Sequence, residues 1–178
     1  MGDPAVLSRL SMLWLQSFDY QPGISLALKD LNYDRLLGWL TLIQQLDARS
    51  QYPLFSAAYI YANVADETRQ RQVLAFIEQR FQKHPDRYWR WLAHAAILAK
   101  HRLHDNDLAL AYAHLLRTRT DKAIVPAWAR QMEIGILEEN GEYESARMLI
   151  GGLLSESAIT DPHELYYLNQ RLKQLKTK

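Results

Sequence analysis

Apolar residues recur along this chain at helical spacing. Leu7, Leu10, Leu13 and Trp14 fall at i, i+3, i+6 and i+7, one stripe of a first helix predicted from about Pro4 to Ser17. Gln21-Pro22-Gly23 breaks it, and a short helical stretch is expected near Ser25. Asp30 is the expected cap of a second long helix ending near Asp47, with Leu36, Leu37, Leu40 and Ile43 on its buried side.

Three helix pairs are predicted next. The first runs from Tyr52 to Asn63 and from Asp66 to Lys83, with Val73, Phe76, Ile77 and Phe81 broadly on one face. His84-Pro85-Asp86 ends this hairpin, because Pro85 disfavours helical geometry at His84. The second pair spans Asp86 to about Arg102 and Asn106 to Thr118. The third spans Ile124 to Asn140 and Tyr143 to Ser155. Asn140-Gly141 is a C-terminal stop, since glycine tolerates the left-handed conformation. Gly151-Gly152 lies inside the last of these helices at a cost of about 1 kcal/mol each, and close packing against a neighbour is the expected compensation. Asp161-Pro162 opens a final helix to about Lys176, whose Arg171, Lys173, Gln174 and Lys176 suit an end helix facing water.

Small residues mark these pairs at a near-constant step. Ala58, Ala93 and Ala129 lie 35 and 36 residues apart, and Val73, Ala109 and Ala146 lie 36 and 37 apart. A period in this range, with two helices per unit, suggests an α-solenoid.

Gly141-Glu142-Tyr143-Glu144-Ser145-Ala146 resembles the turn and second-helix start of a tetratricopeptide repeat, and Asn106-Asp107-Leu108-Ala109 is a fainter version. The first helices are similar too: Trp89, Leu92, Ala93 and Ala96; Leu54, Ala57, Ala58 and Tyr61; Val125, Trp128, Ala129 and Met132. The resemblance covers roughly Gln51 to Ser155. Val73 departs from it in the small-residue place, and the spacing exceeds the family's repeat of about 34 residues. An irregular helical bundle with an accidental period is the competing reading.

Upstream, Asn32-Tyr33, Leu36-Leu37-Gly38-Trp39-Leu40, Leu46-Asp47-Ala48-Arg49 and Tyr52-Pro53 resemble a loosely defined group of bacterial tetratricopeptide-like proteins. Gly38, Ala48 and the order Trp39-Leu40 depart from that group's pattern. This resemblance implies a soluble part of a protein anchored upstream, hence a membrane-associated bacterial assembly.

The implied fold is all-α: a right-handed tetratricopeptide-like solenoid of antiparallel helix pairs, with about nine helices. It is expected as a single domain over 1–178, with N-terminal helices in 1–50, three pairs in 51–155 and a capping helix in 156–178.

Composition narrows the function. Hydrophobic residues make up 48% and charged residues 23%, an ordinary globular balance, while 7 glycines and 6 prolines are too few for a β-rich fold of this length. A formal charge of +1 gives no field for nucleic acid. With no cysteine, disulfides, thiolate chemistry and cysteine-based zinc sites are excluded. Apolar runs stop well short of the roughly 20 residues of a transmembrane helix. Ser8 and Arg9 interrupt any secretory apolar run, and Val6 stands where a myristoylation site needs Ser or Thr.

Candidate chemistry is sparse. His94, His101 and His104 cluster in sequence, but no pair has the i,i+4 spacing of a helical two-His site. They support the alternative reading, a small metal-dependent enzyme or metal-binding protein. Glu138, Glu139, Glu142 and Glu144 could supply a carboxylate dyad, although a solvated turn explains them. Arg87, Tyr88, Trp89, Arg90 and Trp91 interleave cations with aromatics, as base-stacking surfaces do. The repeat register instead assigns Trp89 and Leu92 to the core and Tyr88 and Trp91 to adjacent helices. No phosphate loop, nucleophile elbow or HExxH occurs, so no catalytic residue, cofactor or metal is expected.

What remains is a groove. In tetratricopeptide arrays exposed first-helix positions form the concave wall; by that resemblance they are Tyr52, Phe55, Tyr59, Arg87, Arg90, His94, Arg130 and Glu133. Aromatic groups beside cations suit a peptide bearing an acidic residue. The expected function is a non-catalytic scaffold binding a protein or peptide, with no nucleic acid and no membrane contact except through an upstream anchor or a partner. Self-association through the Trp14 stripe is a third option.

Overall fold

A computed structural model of the chain describes residues 3–17, 27–155, 159 and 161–175. Among them it is all-helical, with no strand. The α-helices are α1 (Pro4–Gln16), α2 (Tyr33–Leu46), α3 (Tyr52–Tyr59), α4 (Glu67–Lys83), α5 (Pro85–His101), α6 (Asn106–Arg119), α7 (Ala127–Arg130), α8 (Met132–Glu139), α9 (Tyr143–Ser155) and α10 (Pro162–Leu175). Short 3₁₀ turns occupy Leu28–Asp30 and Tyr61–Asn63. The stretch expected around Ser25 lies outside the described residues.

Local chemistry sets most helix ends. The carboxylates of Asp3, Asp66 and Asp105 accept from the amides of Ala5, Arg69 and Leu108, capping α1, α4 and α6. The cap of α2 is Asn32, which accepts from the Arg35 amide at 3.0 Å; Asp30, the residue expected there, sits in the preceding 3₁₀ turn. His84 leaves helical geometry (φ −145°, ψ 74°) ahead of Pro85, which opens α5. Gly141 takes φ +78°, and its amide and that of Glu142 donate to the carbonyls of Glu138 and Leu137, closing α8.

The helix expected over Ile124–Asn140 is broken. Pro126 pushes Val125 out of helical geometry, so Ile124 and Val125 stay in a turn, and α7 gives way to α8 at Gln131. Gly151 and Gly152 are not sites of close approach either. A Cβ at either position would meet nothing within 4 Å.

The chain forms two compact units, Met1–Ala95 and Ala96–Lys178; the division falls within α5. In the first, α1 packs on α2, and α2, α3 and α4 pack on one another. Leu36, Leu40, Ile43, Leu54, Ile77 and Phe81 are buried there. The Ser8 hydroxyl donates to the Ile43 carbonyl at 3.1 Å, and the Tyr33 hydroxyl donates to the Tyr61 carbonyl at 2.9 Å. The α1 stripe of Leu7, Leu10, Leu13 and Trp14 faces outward, and Met12 and Leu15 enter the core instead. In the second unit α6 packs on α7 and α8, α8 on α9, and α9 on α10. Ile134, Leu137, Ala146, Ile150, Leu168 and Leu175 form one cluster of its core.

The recurrent small residues are all interior. Ala58, Ala93, Ala129, Val73, Ala109 and Ala146 are each at most 2% exposed. Leu54, Ala57, Ala58 and Tyr61 are buried, as are Trp89, Leu92, Ala93 and Ala96. The third set differs: Val125 and Ala129 are buried, but Trp128 is exposed, because the helix starts late behind Pro126.

Candidate interaction surface

Tyr52, Phe55 and Tyr59 stand at i, i+3 and i+7 on α3, which begins with Pro53 in its first turn. All three are partly exposed. Their rings stack in sequence, with centroids 5.8 Å apart for Tyr52 and Phe55 and 5.2 Å apart for Phe55 and Tyr59. His94 of α5 continues the column, 4.3 Å from Tyr59 and nearly parallel to it. Trp91, one turn earlier on α5, meets Phe55 and Tyr59 edge-on at 6.2 and 6.3 Å.

Hydrogen bonds hold this ladder in place. The Trp91 indole Nε1 donates to Gln51 Oε1 at 2.9 Å, and Gln16 Nε2 donates to the Tyr52 hydroxyl at 2.9 Å. Helical spacing puts Arg87 and Arg90 on the same side of α5 as Trp91 and His94. Arg90 is exposed, its guanidinium 4.9 Å from the Trp89 ring, and Arg87 lies 5.8 Å from the Tyr88 ring.

The structure therefore gathers Tyr52, Phe55, Tyr59 and His94, with Arg87 and Arg90 on the same helix face as His94. It adds Trp91, which repeat register had placed on another face. Its i,i+3 spacing from His94 was the available signal. Tyr88 is buried and donates through its hydroxyl to the Ala48 carbonyl at 3.1 Å.

Two expected surface residues belong elsewhere. Arg130 is only 8% exposed. Its Nε donates to the Val125 carbonyl at 3.2 Å, and its Nη2 lies 3.6 Å from Glu164. Glu133 is half-buried and accepts from Arg117 Nε at 2.7 Å, with His114 Nδ1 at 3.3 Å. Both residues are used inside the second unit.

Three of the four acidic-turn carboxylates are likewise committed to ion pairs. Glu138 accepts from Arg171 Nε at 2.8 Å, and this bond, more than the charge itself, holds the Arg171 guanidinium above its ordinary value against a smaller effect of burial. Glu139 pairs with Lys100 and Glu144 with Arg147. Among the described residues no three of His, Cys, Asp and Glu gather as a metal site would require. His101 ends α5, and His104 follows in a turn at φ 52°. No helix among the described residues is long and apolar enough to cross a membrane. Comparison with protein-family models, curated proteins and solved structures finds no match.

Proposed function

We propose that this chain is a non-catalytic interaction module of the tetratricopeptide-like solenoid kind, and that it grips a protein or peptide partner on the face built by α3 and the first half of α5. The observation that carries the reading is the aromatic ladder of Tyr52, Phe55, Tyr59, Trp91 and His94, half open to solvent and braced from behind. Rigid aromatic side chains lose little entropy on binding and dominate interface energetics. Arg87 and Arg90 beside them favour a segment carrying a carboxylate. The buried small residues at 35 to 37 residue intervals support the solenoid part of the reading.

A photoreactive phenylalanine analogue at position 55 tests the assignment. It is expected to cross-link one partner in cells, and Tyr59→Ala is expected to weaken that partner's binding about 30-fold, in the range of an interface hot spot. Unchanged affinity in both Tyr59→Ala and Arg90→Ala, at unchanged helicity, would place the partner elsewhere.

One observation favours a second reading, self-association. The outward side of α1 carries Val6, Leu7, Leu10, Leu13 and Trp14, each 47–64% exposed, and Trp39 of α2 extends the patch against Trp14 at 5.2 Å. These α1 positions are symmetric about Leu10, so two copies crossing antiparallel would each meet their own complement, as a two-fold interface requires. Sedimentation equilibrium is expected to show a dimer that Leu10→Lys converts to monomer. A wild-type chain that stays monomeric at about 100 μM, above the dissociation constant of an interface of micromolar affinity or better, removes this reading.

A further inference from the structure

Between the C-terminal turns of α2 and α4 and the start of α5 lies a cavity of about 130 Å³. Gln44, Arg80, Lys83, His84 and Tyr88 line it, and no carboxylate among the described residues does. Gln44 is only 5% exposed, yet neither its amide nitrogen nor its amide oxygen has a hydrogen-bond partner among the described residues. The same holds for Arg80 Nε. A buried primary amide left unpaired carries its full desolvation penalty, and native proteins avoid it unless something fills the space.

Arg80 is fixed from the other side. Its Nη2 donates to Thr41 Oγ1 at 2.8 Å, and its guanidinium stacks over Phe76 at 5.0 Å. That leaves the Nε–H without a protein acceptor. Burial lowers the pKa of Arg80 from its ordinary value, with a smaller opposing influence from Tyr88. Tyr88 itself is spent on the Ala48 carbonyl. Lys83 and His84 stand exposed at the rim. Cations in the last turn of α4 suit the helix dipole, which accounts for Arg80 and Lys83 on their own. It does not account for Gln44, which projects from a different helix.

The geometry points to a binding site for a small tetrahedral oxyanion of the phosphate class. Such an ion accepts from the Arg80 Nε–H, the Gln44 amide N–H and the Lys83 ammonium, which approach from two helices. A protonated phosphate oxygen can donate to the Gln44 carbonyl. The volume is ample for a five-atom anion.

Thermal unfolding and calorimetry of the intact chain test this, comparing inorganic phosphate with sodium chloride at equal ionic strength. Saturable binding is expected, with the melting midpoint raised by about 3–6 °C at ten times the dissociation constant. Lys83→Ala, at an exposed position, is expected to weaken binding a few-fold, and Arg80→Met about tenfold. Gln44→Leu is the sharpest variant, because it leaves the charge unchanged and is still expected to weaken phosphate binding fivefold or more. Retained affinity in Gln44→Leu overturns the site, as does a wild-type chain indifferent to phosphate, whose cavity then holds water only. An equal response to acetate overturns the tetrahedral assignment. O-phosphoserine distinguishes the sources: binding of both ligands assigns a phosphomonoester, and binding of phosphate alone assigns the free ion.

Discussion

Arg130→Ala is expected to destabilise the second unit by about 3 kcal/mol, read by urea denaturation followed by circular dichroism. The side chains of Arg130 and Glu164 are 9% and 10% exposed, so the pair is largely out of water. Removing the guanidinium leaves a buried carboxylate to which, among the described residues, Gln131 Nε2 alone donates at 2.7 Å, and takes the Nε donor from the Val125 carbonyl. The loss comes from that uncompensated charge more than from the worth of the pair. Arg130→Met combined with Glu164→Leu, which removes both charges and keeps apolar volume, is therefore expected to recover most of the stability. If the single variant costs less than about 1 kcal/mol, in the range of exposed ion pairs, the side chain is solvated and Arg130 returns to the candidate surface.

Phe81→Ala is expected to cost about 3–5 kcal/mol in the first unit. Phe81 is fully buried in the last turns of α4, among the largest interior side chains. Truncation removes its transfer free energy and leaves a void that helices on several sides cannot close together. Phe81→Leu keeps most of the volume and is expected to cost less than about 1.5 kcal/mol, provided the neighbours repack. Equal losses for the two variants would show that shape, not volume, decides the site.

Much of this organisation was legible along the chain. Asp66 and Gly141 announced helix ends because caps act on amides and carbonyls within four residues. Val73, Phe76, Ile77 and Phe81 announced the buried side of α4, because the opposite side of that helix is charged. Helix α1 offered no such contrast. It carries Met12 and Leu15 on one side and Leu7, Leu10 and Leu13 on the other, so periodicity alone could not say which side the core takes. Pro126 was the local signal for the break ahead of α7, and the longer pattern of Ile124 to Asn140 obscured it.

The candidate surface divides the same way. Tyr52, Phe55 and Tyr59 share a face by spacing within one helix, and that much was visible in the sequence. Their union with Trp91 and His94 depends on how α5 lies against α3, about 35 residues downstream.

The linear order of residues settled helix content and most helix limits, since both follow from forces acting within a turn or two. Only the folded arrangement settled that Arg130 is buried beside Glu164, that α1 turns Leu7, Leu10 and Leu13 outward, and that Gln44 and Arg80 face a common cavity. Those outcomes depend on which helix packs against which face, and helical periodicity gives a helix its sides without naming its neighbours.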